Sequence, residues 1–179
     1  MTIALLTLNV LTLAAISVTV FYGTLIPHGG GALGEHLSWG LLTVLLGVFT
    51  HTMTFFYFIG VGSSIRRAVE EFGVGAEYWR TSQGLKGRVF AWAGAGMLLL
   101  MVTFVLGGGA HTRAFPGWVH SVPGYLALVF SVVALGVEAH YLFRQNRTVN
   151  DFNRLLAANQ VRSRRETAAD AAASSSPSL

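Results

Sequence analysis

P-H-G-G-G-A-L-G-E-H-L-S-W-G-L-L-T-V-L-L-G-V-F-T-H, residues 27–51, is the stretch that decides the fold, because a glycine-rich turn leads directly into a long apolar helix. This helix carries His36 at its mouth and His51 near its middle. An ionisable side chain is rare in the hydrocarbon of a membrane and needs a partner there. The two histidines therefore predict a site inside a bundle of membrane helices.

The composition of the whole chain also predicts a membrane protein. Hydrophobic residues make up 53% and charged residues 11% of the sequence, and the mean hydropathy is +0.56, whereas a soluble surface needs about a quarter charged residues. Four stretches are long enough to cross roughly 30 Å of hydrocarbon as helices: residues 3–25, 37–62, 89–106 and 118–143. We therefore predict an all-α, integral membrane four-helix bundle made of two helical hairpins.

The positive charges predict how this bundle is oriented. They lie between the second and third spans and after the fourth, whereas Arg113 alone lies on the other side. By the positive-inside rule both termini are cytoplasmic, and we expect the membrane to be the inner (cytoplasmic) membrane of a bacterium. The net charge of +4 then reflects orientation in the lipid bilayer, and no nucleic acid partner is expected.

The chain divides into three segments. Residues 1–147 are the predicted four-helix transmembrane domain, with Pro123 and Gly124 in the first turn of the fourth helix, where proline is tolerated. Residues 148–165 are predicted to form a short cytoplasmic helix, basic and amphipathic, on the anionic leaflet. The low complexity of residues 166–179 predicts a disordered tail.

An internal quasi-repeat relates the two hairpins. Three glycines precede His36 in the first outer loop, and three glycines precede His111 and His120 in the second. The pattern H-x-x-x-G recurs at residues 36–40 and 120–124, and L-G-V-x-x-H recurs at residues 46–51 and 135–140. The repeat predicts parallel second helices related by a pseudo-two-fold axis along the membrane normal.

This repeat makes His36 and His120 equivalent, so we expect them to face each other across the bundle. Gly40 and Gly124, one turn below, would leave room for a flat macrocycle, with the two imidazoles as axial ligands of haem b. Arg113 is available to pair with the propionates. The absence of cysteine excludes thiolate sites, iron–sulfur clusters and covalent haem attachment. The four-span layout and the helix histidines resemble the general plan of small four-helix membrane cytochromes that anchor redox complexes.

The deeper histidines do not pair in the same way. His51 and His140 differ in predicted depth by about 16 Å, which is too far for one iron. His120 and His140 project on nearly opposite faces, whereas His36 and His51 share a face. A second haem could use His51, and Glu138 could pair with His51 or Arg66, or deliver protons to a quinone.

Three functions are compatible with these residues. The first is a membrane b-type cytochrome-like subunit of an oxidoreductase complex, which passes electrons between partner subunits and quinone. The second is a non-haem zinc or copper site of four outer histidines, His28, His36, His111 and His120, with His51 and His140 as further candidate ligands. The third is a cofactor-free accessory or assembly subunit in which the histidines are ordinary interfacial or hydrogen-bonded side chains.

Overall fold

The protein consists of four long helices. A computed structural model describes residues 1–26 and 32–174, with α1 spanning Thr2–Leu25, α2 Leu33–Phe72, α3 Ala76–His111 and α4 Trp118–Ser174. Each helix is long and apolar enough to cross a membrane. The predicted all-α class is therefore confirmed, as is the presence of four helices long and apolar enough to span a membrane, which suggests an integral membrane protein.

Three of the helices are longer than a membrane span. The helices α2, α3 and α4 contain 40, 36 and 57 residues, whereas about 20 suffice to cross the hydrocarbon. Beyond the apolar segments, ion pairs one helical turn apart support the helix: Arg66 Nε lies 2.8 Å from Glu70 Oε1, and Arg162 Nε lies 2.8 Å from Glu166 Oε1. Such exposed pairs stabilise a helix only slightly.

Two glycines form the turn between α2 and α3. Gly73 has φ 68° and its amide donates to the carbonyl of Val69, which is a left-handed end to α2. Gly75 has φ 80°, and a Cβ there would lie 2.7 Å from a ring atom of Phe152 in α4. The turn therefore requires glycine for both its backbone conformation and its contact with α4.

The helix α4 differs from the prediction. It runs without interruption to Ser174, so residues 148–165 continue α4 and are not a separate short helix. Residues 166–174 are helical where composition predicts a disordered tail; residues 175–179 lie outside the described residues. The sequence contains neither glycine nor proline from residue 137 to residue 174 to end the helix. Pro123 lies in the second turn, one turn later than expected.

Each helix packs against two neighbours, in the order α1, α2, α3, α4 and back to α1. Two apolar clusters fill the interior. The upper cluster, at the end of the bundle that carries His36 and His120, contains Ile16, Leu100 and Ala127. The lower cluster contains Leu5, Tyr57, Phe58, Leu85, Val89 and Leu142. Large apolar side chains such as Val105 (70% exposed) and Leu98 (63%) cover the outside, consistent with contact with lipid.

Candidate functional site

Two equivalent hydrogen bonds hold the histidines at the upper end of the bundle. His36 lies in the first turn of α2, and its Nδ1 is 2.9 Å from the carbonyl oxygen of Thr19 in α1. His120 lies in the first turn of α4, and its Nδ1 is 3.0 Å from the carbonyl oxygen of Thr103 in α3. A carbonyl only accepts, so Nδ1 of each ring carries the proton and donates it. Each Nε2 is left as a lone-pair acceptor without a hydrogen-bond partner among the described residues.

Glycines in the neighbouring helices make these contacts possible. A Cβ on Gly23 would lie 3.0 Å from Cε1 of His36, and a Cβ on Gly107 would lie 3.0 Å from Cε1 of His120. In an α-helix the amide of residue 23 bonds the carbonyl of residue 19, one turn earlier. Because residue 23 is glycine, the imidazole can reach the same carbonyl from the side. The same geometry recurs around Gly107.

The two rings meet across the bundle. The ring centroids of His36 and His120 are 5.8 Å apart and the ring planes are inclined by 76°. Both rings border a cavity of about 510 Å³ that is lined mainly by apolar side chains. The structure thus brings together the two histidines that the quasi-repeat pairs, at the edge of a space large enough for a small molecule or cofactor.

The other residues expected around this site are placed differently. Gly40 and Gly124 line the cavity, and a Cβ on either would lie at ordinary contact distance, 3.7 Å and 4.0 Å, from the methyl group of the threonine that holds the nearby histidine. His111 is exposed at the end of α3 and also borders the cavity. Arg113 is exposed in a left-handed conformation (φ 59°) and is not among the residues that line the cavity. His28 lies outside the described residues.

A second polar group lies deeper in the bundle. Nδ1 of His51 is 3.1 Å from Oε1 of Glu138, and the two side chains are 7% and 0% exposed. These atoms are at ion-pair distance, but their alignment falls short of a hydrogen bond. The other carboxylate oxygen, Oε2, accepts a hydrogen bond of 3.0 Å from the amide of Asn9. Of the partners expected for Glu138, the structure shows His51. Asn9 is a further partner that was not expected.

The position of His51 does not favour a second haem. A Cβ on Gly96 would lie 2.9 Å from Nε2 of His51, so the ring already packs against the backbone of α3. The ring of His51 thus has Glu138 on one side and α3 on the other. His140 is exposed on α4 and contacts Tyr141, with ring centroids 5.3 Å apart, so the structure does not bring it to either group.

The two halves of the chain correspond with a single offset, which is 84 positions, and only part of the predicted repeat fits this offset. His36 and His120 are 84 positions apart, and so are Gly40 and Gly124. In this register His51 corresponds to Leu135, so the two L-G-V-x-x-H segments are not structural equivalents. That part of the predicted repeat is wrong, because leucine, glycine and valine recur readily in apolar helices.

The sequence analysis missed the residues that hold the histidines. Thr19 and Gly23 precede His36 at the same spacing as Thr103 and Gly107 precede His120. The pattern T-x₃-G-x₁₂-H-x₃-G therefore occurs twice, and comparing the two halves in the 84-residue register would have found it. Asn9 carries no such signal, since the corresponding residue in the second half is Ala93.

No group of three or more histidine, aspartate or glutamate side chains able to hold a metal ion occurs in residues 1–26 and 32–174. The described site thus offers two imidazoles to a ligand. Comparisons with known proteins add nothing to this picture, because no family model, no curated protein and no solved structure matches the chain.

Proposed function

We propose that the protein is a membrane b-type cytochrome-like subunit that holds haem b between His36 and His120. The observation that supports this most directly is the pair of imidazoles whose Nδ1 atoms both donate to backbone carbonyls. A histidine that binds a metal usually donates its other ring N–H to a carbonyl or carboxylate, which fixes the tautomer. Both rings here are prepared to bind through Nε2.

The spacing of the two rings is compatible with the proposed cofactor. Two imidazoles bound to opposite sides of one metal ion by bonds of about 2 Å have ring centres roughly 6 Å apart, and the observed separation is 5.8 Å. Two protein ligands suffice for haem, because the porphyrin supplies the other four. Gly40 and Gly124 keep the adjacent backbone free of side chains. The haem would supply one-electron transfer, and the protein would fix its ligands and exclude water.

The topology belongs to the same proposal. Thr19 Oγ1 contacts Thr43 Oγ1 at 2.8 Å, and Thr12 Oγ1 contacts Thr50 Oγ1 at 3.1 Å, a pattern that supports an antiparallel α1–α2 hairpin. The basic residues at the opposite end favour cytoplasmic termini and a haem near the outer face of a bacterial inner membrane. Electrons would pass between partner subunits and quinone.

The test is the optical spectrum of the protein purified after expression with an adequate haem supply. We expect a Soret band, a sharp α band on reduction and a pyridine haemochrome of the b type. H36A and H120A should each lose the bands, because either substitution removes one of the two ligands. H140A is the matched control and should keep them, because that ring is exposed. A wild-type protein without haem would contradict the proposal.

A zinc or copper site is the second candidate, and one observation favours it. His111 borders the same cavity as His36 and His120, so a ligand set that also includes His28 is worth testing. Metal analysis of the same preparations distinguishes the two: bound zinc or copper without haem, lost in H111A, would favour this site. A preparation with neither metal nor haem, in which H36A and H120A fold normally, would favour a cofactor-free accessory subunit.

A further inference from the structure

The residues that hold the two histidines repeat in the 84-residue register. Three pairs of cavity-lining residues are identical in the two halves of the chain: Thr19 and Thr103, Gly23 and Gly107, and Gly40 and Gly124. Exchanging the two halves would therefore leave the contacts around His36 and His120 almost unchanged. A flat ligand held by these residues alone could bind in two orientations, which differ by that exchange.

The helix α4 departs from this repeat at two positions beside the cavity. Ser121 and Tyr125 line the cavity, whereas the corresponding residues of α2 are Leu37 and Leu41. Leu41 is 49% and Tyr125 51% exposed, so these two positions are equally accessible and differ in chemistry. The cavity thus borders two hydroxyl groups on α4 where α2 carries leucine.

The other polar positions of the lining do not cancel this difference. Thr43 corresponds to Ala127, but its hydroxyl lies 2.8 Å from that of Thr19 and so belongs to the contact between α1 and α2. His111, at the end of α3, corresponds to Pro27 in the sequence. Apart from the two facing histidines, the polar side chains that border the cavity and are not used within the described bundle therefore come from its second half.

Both hydroxyl groups on α4 can serve a ligand. Ser121 and Tyr125 lie one turn apart on the same side of the helix. Ser121 Oγ donates to the carbonyl oxygen of Gly117 at 3.1 Å, and a serine hydroxyl can rotate toward a stronger acceptor. Tyr125 has no hydrogen-bond partner within residues 1–26 and 32–174. A carboxylate is the acceptor with which such donors form their stronger hydrogen bonds.

We propose that Ser121 and Tyr125 direct the carboxylate edge of the haem toward α4 and thereby fix one of the two orientations, an inference that rests on the proposed function. Haem b carries its propionate carboxylates on one edge and apolar groups on the opposite edge. The reverse orientation would place the carboxylates beside Leu37 and Leu41, where burial without a hydrogen bond is costly. Because hydrogen bonds to a charged group are strong, the preferred orientation should exceed the other by about tenfold or more.

The experiment is a proton NMR spectrum of the ferric, haem-loaded protein in detergent micelles. Low-spin ferric haem moves its ring-methyl signals away from those of the protein, and each orientation gives its own set. We expect one dominant set in the wild type and a substantial second set in S121L/Y125L, which gives α4 the residues of α2. V122L/V129L is the matched control and should keep one set, because both valines are exposed on α4 and do not line the cavity.

A second measurement uses the wild-type chain and does not depend on the folding of a variant. Haem dimethyl ester has no free carboxylate, so the hydroxyl groups of Ser121 and Tyr125 lose the charged acceptor that distinguishes the two edges. Wild-type protein loaded with this ester should show a second set of methyl signals, whereas the same protein loaded with unmodified haem should show one.

The outcomes separate this inference from the proposed function. A wild-type protein without a Soret band overturns both. A normal Soret band with two comparable sets of methyl signals in the wild type, or with a single set in S121L/Y125L, overturns this inference alone. A second set in V122L/V129L, or a single set with haem dimethyl ester, also overturns it and leaves the histidine ligands of the proposed function untouched.

Discussion

At the scale of single residues, the histidine site depends on glycines beside it, which have no side chain to block the imidazoles. The hydroxyl groups of Thr19 and Thr103 each bond a carbonyl one turn earlier in their own helix, at 2.9 Å and 2.7 Å. The methyl group of Thr19 therefore faces α2 and that of Thr103 faces α4. The backbone carbonyls of the two threonines face the imidazoles. Each histidine needs a glycine one turn further along to reach that carbonyl.

Gly107→Ala should weaken binding of the proposed haem while leaving the fold intact. The new Cβ would lie 3.0 Å from the ring of His120, so the ring has to shift by a few tenths of an ångström, which distorts its hydrogen bond to the Thr103 carbonyl. We expect a clear loss of haem per protein, measured as the ratio of Soret to protein absorbance. Gly108→Ala is the control, because nothing lies within 4 Å of a Cβ there; equal loss in both variants would contradict the role of Gly107.

The sequence predicted the histidine pair but not the residues that position the two rings. His36 and His120 stand out because histidine is uncommon in apolar helices. Thr19 and Gly23 are ordinary residues of such helices, and their role depends on a backbone carbonyl, which no side-chain pattern reveals. The pairing of His51 with Glu138 was one of the predicted alternatives, since a buried imidazole needs a polar neighbour. The hydrogen bond from Asn9 to Glu138 has no signal in the sequence, because it depends on how α1 packs against α4.

At the scale of helices, the ends were harder to predict than the membrane spans. Hydropathy detects the apolar window of a helix, but α2 and α4 continue beyond that window into polar sequence, and α3 begins before it. The turn at Gly73 and Gly75 shows where α2 ends. The contact of Gly75 with Phe152 also joins this turn to the extension of α4.

Gly75→Ala should destabilise the turn between α2 and α3. Alanine at φ 80° is strained, and its Cβ would lie 2.7 Å from the Phe152 ring, so we expect a loss of about 2 kcal/mol or more. Gly84→Ala is the matched control within α3, since the position is exposed and open and alanine favours a helix by about 0.5–1 kcal/mol. Thermal unfolding followed by circular dichroism should show opposite shifts; a stable Gly75→Ala variant would contradict the role of the turn.

At the scale of the whole molecule, the four-span bundle follows directly from composition, whereas the pairing of the two halves depends on register. Two sequence patterns suggested two registers, and only the spacing of His36 and His120 agrees with the buried positions. Leu5 and Val89 share this register, as do Thr50 and Ala134. The buried positions thus identify the 84-residue offset as the structural one, whereas the apolar sequence patterns alone allow both offsets.

The proposed orientation is testable with single cysteines, because the chain contains none. A cysteine replacing the exposed Thr112, between α3 and α4, should react with an impermeant maleimide in intact cells. A cysteine replacing the exposed Glu71, near the end of α2, should react only after the membrane is opened. The reverse labelling pattern would place both termini outside, and the cysteine-free parent gives the background.

The 84-residue register has a consequence for how such a chain could arise. A dimer of one ancestral hairpin would already carry two facing imidazoles, because the same residue from each copy meets at the symmetry axis. A buried acid is different: in a homodimer each copy would contribute one, so two carboxyl groups would lie in the same core. Gene fusion removes that constraint, since Thr54 can remain neutral while its counterpart becomes Glu138. A fused chain can keep a symmetric pair at one depth and a single acid at another, which a homodimer of identical hairpins cannot.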